Sequence, residues 1–281
     1  VTSNQTEFSN NNGSLTEGQI YFYQAWAENS EGFATGIERS FLTKPNVTTN
    51  LTATMLNSTR ISLNWTAGTG ANNTYIERHT AASWGRGVGT QIYNSTGSNY
   101  IDTGLTAGTT YYYRAWSYSY SNNETKTLQK WSDLNATASN ITNNLPTITL
   151  MRPVPNGTTG IGLTPVCGIY ANDTDGGNVD VSWYENTTAS YVCQNVNSSV
   201  AANTQQNYTF TDFSGYNTQY YWKVWVNDTY DNVTKWFTFT TVIQTTKPVV
   251  TTNAITGVEE INATLIGYLI SNGSADTTCG F

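Results

Sequence analysis

One strand-like phrase, written three times, constrains this chain more than any other feature. It reads Tyr21-Phe-Tyr-Gln-Ala-Trp26, then Tyr111-Tyr-Tyr-Arg-Ala-Trp116, then Tyr220-Tyr-Trp-Lys-Val-Trp225. Bulky residues alternate in a polar-interrupted run, the period-2 pattern of a strand that buries one face. The first two copies share a lead-in, Leu15-Thr-Glu-Gly18 and Leu105-Thr-Ala-Gly108, whereas the third carries Phe213-Ser-Gly215. The copies lie about 90 and about 110 residues apart, each interval long enough for one small β domain.

The composition supports the same reading. Charged residues make up 11% of the chain, against roughly 25% in an average soluble protein. The mean hydropathy is nevertheless negative, at -0.41, so Asn, Thr, Ser and Gly carry the polarity. With 19 Tyr and 9 Trp and no long stretch of helical period, an all-β chain is expected. The 12 basic residues against 19 acidic ones leave nothing from which to build a phosphate-tracking groove, which argues against nucleic acid as a partner. No run approaches 18 apolar residues, so no transmembrane segment is expected in this stretch. Residue 1 already sits in polar domain sequence, and a secretion leader is expected to have been removed.

Glycosylation grammar gives the compartment. About 20 Asn-X-Ser/Thr sequons are present, where pairing by chance at this composition gives about 8. They fall at Asn4, Asn12, Asn46, Asn50, Asn57, Asn64, Asn72, Asn94, Asn123, Asn135, Asn140, Asn156, Asn172, Asn186, Asn197, Asn207, Asn227, Asn232, Asn262 and Asn272. An Asn/Thr-rich surface makes some sequons by accident, but the excess points to an extracellular chain bearing covalent N-glycans. Sugars on outward strand positions would also block edge-to-edge pairing.

Taken in order, residues 1–44 read as the back half of a sandwich, with a corner at Leu15 to Gly18, a central strand over 19–28 and a last strand over 36–43. Residues 45–140 hold seven short strands with Gly/Asn turns, enough for a complete two-sheet sandwich. Residues 145–242 hold a second, distinct sandwich. Residues 247–281 then read as a front half, since Val249-Val-Thr-Thr-Asn253 echoes Val47-Thr-Thr-Asn50.

Pro45, the run Ile61-Ser-Leu-Asn-Trp65, and the corner formed by Leu105 and Tyr111 resemble a fibronectin type III domain. The resemblance implies that Trp65 is the core tryptophan and that the Tyr111 hydroxyl returns to the backbone near Leu105. The second sandwich lacks a tryptophan on its second strand. Trp183 on the third strand is the better core candidate there, and the broader name Ig-like fits. Read together, the two terminal halves resemble the tandem β-sandwich repeats of archaeal cell-surface proteins. Either the chain is one period of a longer tandem polypeptide, or separate copies complete each other's sandwiches. Both give a head-to-tail contact that does not close, hence a fibre or stalk whose partners are further copies of the chain. The alternative is a set of accessory modules in a secreted enzyme or receptor, holding surface carbohydrate or protein.

The chemical inventory is thin. His79 is the only histidine, so no catalytic triad or His-based metal site can be assembled, and no enzyme is expected. Cys167 and Cys193 fall in one domain, and in an oxidising compartment a disulfide between them is expected. Cys279 has no evident partner and is expected as a buried thiol, with an intermolecular bridge as the alternative. No cofactor is expected apart from one candidate Ca²⁺ site. Its ligands would be Asp173 and Asp175 in one loop with Asp228 and Asp231 in another, because two such loops share one end of an Ig-like sandwich. The competing explanation is ordinary Asn/Asp/Gly turn chemistry. Finally, if Tyr111, Tyr113 and Ala115 point inward, the alternating positions point out. Trp26, Trp116 and Trp225 then become interface candidates, although the same row also serves as a cross-strand ladder.

Overall fold

A computed structural model of the chain describes residues 7–123, 126–188, 190–258, 264–271 and 278–280. Every regular element among them is a strand. The chain forms two compact units, Val1–Asn144 and Leu145–Phe281.

The first unit begins with two small antiparallel pairs. Strand β1 (Ile20–Tyr23) pairs with β4 (Arg39–Leu42), and β2 (Trp26–Asn29) pairs with β3 (Gly32–Thr35). A complete sandwich follows. One sheet has the order β5 (Thr49–Asn57), β6 (Arg60–Thr66), β9 (Asn99–Thr103). The other contains β7 (Asn73–His79), β8 (Thr90–Ser95), β10 (Thr110–Asn123), β11 (Lys126–Trp131) and β12 (Ala136–Ile141). Its order is β8-β7-β10, with β11 and β12 sharing the far edge of β10. The alternation expected from sequence decides the core. Ile61, Leu63 and Trp65 from one sheet meet Ile76, Tyr111, Tyr113 and Ala115 from the other.

The last edge of this sandwich is thus two strands, which raises the number of strands above the seven expected from sequence. Ser132 interrupts it, because its hydroxyl accepts from the Ser117 N–H at 3.1 Å and donates to the Leu134 carbonyl. Side-chain bonding of this kind competes with the ladder. Between the sheets, Asp102 is buried; it accepts from Arg78 at 2.8 Å and from the Tyr113 hydroxyl at 3.0 Å.

In the second unit, one sheet has the order β13 (Thr147–Arg152), β15 (Val166–Asn172), β18 (Thr204–Thr209). The other contains β14 (Thr158–Ile161), β16 (Asn178–Glu185), β17 (Val192–Ala201), β19 (Gln219–Asn227) and β20 (Asn232–Thr241), in the order β14-β20-β19-β16-β17. Trp183 and Trp222 are fully buried and stack at 6.0 Å. Strand β14, absent from the sequence reading, pairs parallel to β20. The first edge of the domain therefore crosses from one sheet to the other, which separates it from the first sandwich. A final hairpin joins β21 (Val249–Thr252) to β22 (Gly267–Ser271). Within the front half expected over 247–281, residues 259–263 and 272–277 lie outside the described residues, as does Phe281.

Candidate assembly interface

Each copy of the repeated phrase enters its strand through the same corner. The Tyr21, Tyr111 and Tyr220 hydroxyls accept from the N–H five residues earlier, at Thr16 (2.8 Å), Thr106 (3.0 Å) and Gly215 (2.8 Å). Three residues before each tyrosine the backbone adopts positive φ, at Gly18, Gly108 and Asn217. Glycine and asparagine are the residues that tolerate that region. The third corner therefore follows the same plan with Asn217 in the glycine position.

A threonine closes each corner, and sequence reasoning missed it. The Thr142 hydroxyl donates to the Thr106 carbonyl at 2.6 Å and accepts from the Thr109 N–H at 3.0 Å. Thr43 makes the matching pair of bonds with Thr16 and Gln19, and Thr241 makes it with Gly215 and Thr218. The signal was present in sequence as a threonine 22, 31 or 21 residues after the corner tyrosine. The variable spacing hides it.

With the corners superposable by role, the cover over them differs. Tyr113 is 1% exposed and Trp222 is fully buried, while Tyr23 at the same position is 57% exposed. Ala115 and Val224 are core residues, and their counterpart Ala25 is exposed. Phe22, Trp26, Phe33 and Ile37 are exposed as well. Tyr21 and Phe41 stack at 5.7 Å, as do Trp26 and Phe33 in tilted geometry at the same distance, without a second sheet above them. The tail hairpin is equally bare, with Val249, Val250, Tyr268 and Leu269 exposed.

The interface candidates divide accordingly. Trp26 is 61% exposed and Trp225 is half-buried, but Trp116 is only 5% exposed. Trp116 does lie outside its sheet, yet it is covered rather than presented. Tyr75 packs against both Trp116 (6.3 Å) and Trp131 (5.1 Å), and the Arg86 guanidinium sits 4.1 Å above Trp131. Trp116 is withdrawn as an interface residue.

The first segment is also anchored to the sandwich that follows. Asn46 donates to Glu17 at 3.2 Å and to Thr69 at 2.6 Å, and Lys44 pairs with Asp133 at 2.5 Å. A Cβ on Gly18 would collide with the carbonyl of Gly70, and a Cβ on Gly70 with that of Glu17.

The expected disulfide is corrected. Cys167 and Cys193 are both free thiols. Cys167 lies in line with Ile169 and Ala171, facing the core from β15, whereas Cys193 pairs with Tyr184 and is exposed on the opposite sheet. A bridge requires Cβ atoms close together and facing each other, and these face apart. Burial pushes the Cys167 thiol pKa up to about 12. Cys279 is exposed rather than buried.

The acidic loops are built as turns. Among the described residues no group of three or more His, Cys, Asp or Glu is placed to hold a metal ion, although Asp175 and Asp228 lie close enough to Asp173 for their charges to raise its pKa. Their carboxylates serve their own turns. Asp173 accepts from the Asp175 N–H at 3.0 Å, and Asp228 accepts from those of Tyr230 (2.9 Å) and Asp231 (2.7 Å). Burial raises the Asp173 pKa; the Asp175 N–H lowers it, and the charges of Asp228 and Asp175 raise it further. His79 is engaged in its loop, accepting from Ala81 at 2.7 Å and stacking on Trp84 at 5.3 Å.

Of the sequons, Asn4, Asn262 and Asn272 lie outside the described residues, as does the side chain of Asn123. Every other sequon asparagine is half-buried or exposed. At Asn46, Asn50, Asn135, Asn140 and Asn197, however, the amide nitrogen that would carry a sugar is already a donor, at Asn140 to the Ala53 carbonyl at 2.9 Å across the sandwich.

No family model and no curated protein matches the chain. Among solved structures it is similar to fibronectin type III domains. "Structure of FN3tt mut" is 19% identical, covering 34% of this chain and 94% of that one, with a TM-score of 0.25. A two-domain fibronectin type III segment of chicken tenascin is 12% identical, covering 69% and 99%, with a TM-score of 0.28. The FN1–FN3 domains of chicken CNTN1 are 10% identical, covering 79% and 77%, with a TM-score of 0.32. The chain is built of β-sandwiches, a conclusion that rests on its own strand orders. No helix among the described residues is long and apolar enough to cross a membrane.

Proposed function

We propose that the chain is a structural, adhesive glycoprotein of the cell surface whose bare terminal sheets are covered by a neighbouring copy or repeat, giving a head-to-tail fibre or stalk. One observation carries this reading. The corner at Tyr21 is built like the other two, yet the positions that are core at Tyr113 and Ala115 are exposed at Tyr23 and Ala25. Apolar surface of this extent is costly to leave in water, at about 25 cal/mol per Å². The tail hairpin supplies what the first segment lacks. Strand β21 carries the text of the first strand of a sandwich, Val249-Val-Thr-Thr, echoing Val47-Thr-Thr at the entry to β5. Covalent N-glycans on the outward sequons keep the remaining strand edges from pairing.

Sedimentation velocity of the 281-residue chain over a range of concentrations, with electron microscopy of the same samples, tests the proposal. Elongated multimers that grow with concentration, and that Tyr23→Asp combined with Trp26→Asp returns to monomer, are expected. Monodisperse monomers throughout would overturn the self-assembly.

A further inference from the structure

The outer face of the second sandwich carries an aromatic surface that the assembly reading does not use. On β19, Trp222, Val224 and Val226 are buried, so Tyr221, Lys223, Trp225 and Asn227 face outward. On β20, Phe237 and Phe239 are buried, so Asn232, Thr234, Trp236 and Thr238 face outward. The register sets Asn227 opposite Asn232, Trp225 opposite Thr234, and Lys223 opposite Trp236. Trp236 is 59% exposed and Trp225 half-buried. Next to them, the Lys223 ammonium sits 4.5 Å from the centre of the Tyr184 ring and 5.0 Å from that of Tyr191.

Sequons bracket this surface. Asn227 and Asn232 sit at one end, on the same face as Trp225 and Trp236 and about 7 Å from Trp225 along the strand. Asn186 sits at the other end, two residues after Tyr184, with its side-chain oxygen accepting from the Tyr221 N–H at 2.8 Å. Asn227 follows Trp225 by two positions on β19 and Asn232 opposes Asn227, while Asn186 lies just past the end of β16, two positions after Tyr184. We propose that the N-linked sugars on Asn227 and Asn232, joined by that on Asn186, lie down on this aromatic face and are its occupant. The inference rests on the glycoprotein reading above.

The chemistry matches. The axial C–H groups of a pyranose carry partial positive charge, and the face of an indole ring is negative. Trp225 and Trp236 offer such faces, and the threonine and asparagine side chains between them can bond the sugar hydroxyls. The one cation on the face, Lys223, is already over tyrosine rings. A flat protein partner is disfavoured, because glycans rising from both ends would hold it away. A tethered sugar, by contrast, docks without a bimolecular cost.

The test uses the glycosylated chain. Glycopeptide mapping first establishes occupancy at Asn227 and Asn232. Hydroxyl-radical footprinting then compares Trp236 and Trp225 in the glycosylated chain with Asn227→Gln/Asn232→Gln and with Thr229→Ala/Thr234→Ala. The second pair removes the same sugars while keeping both asparagines, should the first pair fold poorly. Several-fold faster oxidation of Trp236 and Trp225 in both variants is expected, with Trp26 unchanged. Occupied sequons with no change in Trp236 oxidation would overturn the docking and leave the glycoprotein reading intact. Unoccupied sequons at both positions would overturn the docking alone, and unoccupied sequons throughout the chain would overturn both.

Discussion

The Tyr21 hydroxyl accepts the Thr16 N–H at 2.8 Å, in a segment whose aromatic face is otherwise open to water. The bond fixes the angle at which the chain enters β1, and Thr43 closes the same corner from the end of β4. Local hydrogen bonds therefore specify the corner before any second sheet covers it. That is why the first segment keeps the geometry of the complete sandwiches without their core.

The corner is best tested where it is buried. Tyr111→Phe leaves the Thr106 N–H without its acceptor, and Thr142→Val removes a donor to the Thr106 carbonyl and an acceptor for the Thr109 N–H. Each change is expected to cost about 1–3 kcal/mol. Because both act on Thr106, the double variant should depart from additivity by at least about 0.5 kcal/mol. Urea unfolding of the four proteins measures it.

The positive-φ positions make a sharper contrast. Gly18→Ala forces a side chain into the left-handed region and into the Gly70 carbonyl, and should destabilise the first segment by more than about 2 kcal/mol. Asn217→Gly, at the matching place in the third corner, should change stability by only a few tenths of a kcal/mol, on the order of the αL preference of asparagine. Hydrogen exchange at Thr16 and Gly215 reports each corner separately.

What the sequence revealed follows from where the physics is local. Alternation put Tyr113 and Ala115 on the core face within a few residues, whereas the core role of Trp65 and the bond of the Tyr111 hydroxyl came from the resemblance to a fibronectin type III domain, and Trp183 from the lack of a second-strand tryptophan. The closing threonines and β14 were not legible. Thr142 meets Thr106 across 36 residues, and β14 is held by parallel pairing to a strand about 80 residues away. The disulfide expectation failed for a related reason. Spacing cannot say on which face of which sheet a cysteine falls, and a register shift between Trp183 and Tyr184 places Cys193 outside.

The free cysteines give a direct check of that placement. Cys193 and Cys279 are exposed and Cys167 is buried with its pKa pushed up to about 12. Thiolate is the reactive form. An aromatic disulfide reagent at pH 8 should modify Cys193 and Cys279 within minutes, and Cys167 only in denaturant. Failure of Cys193 to react in the native chain, with reaction restored by reductant, would show that it is bridged after all.

The acidic loop yields a prediction whose sign separates two explanations. Burial and the neighbouring charges raise the Asp173 pKa above its ordinary 3.8, so the folded state holds this proton more tightly than the unfolded state. Its contribution to stability is then most favourable below the unfolded pKa and is lost as pH rises through the folded one. Asp173→Asn keeps a side-chain oxygen to accept the Asp175 N–H while removing the ionisation. Thermal melts should show the variant more stable than the parent at pH 7, with the gap closing toward pH 3. A bound Ca²⁺ ion would reverse this. It would neutralise the loop, make the carboxylate favourable at pH 7, and cause Asp173→Asn to lower the melting temperature in a manner abolished by EDTA. The turn chemistry seen at Asp173 and Asp228 leads us to expect the first outcome, with EDTA leaving the melting temperature of the parent unchanged.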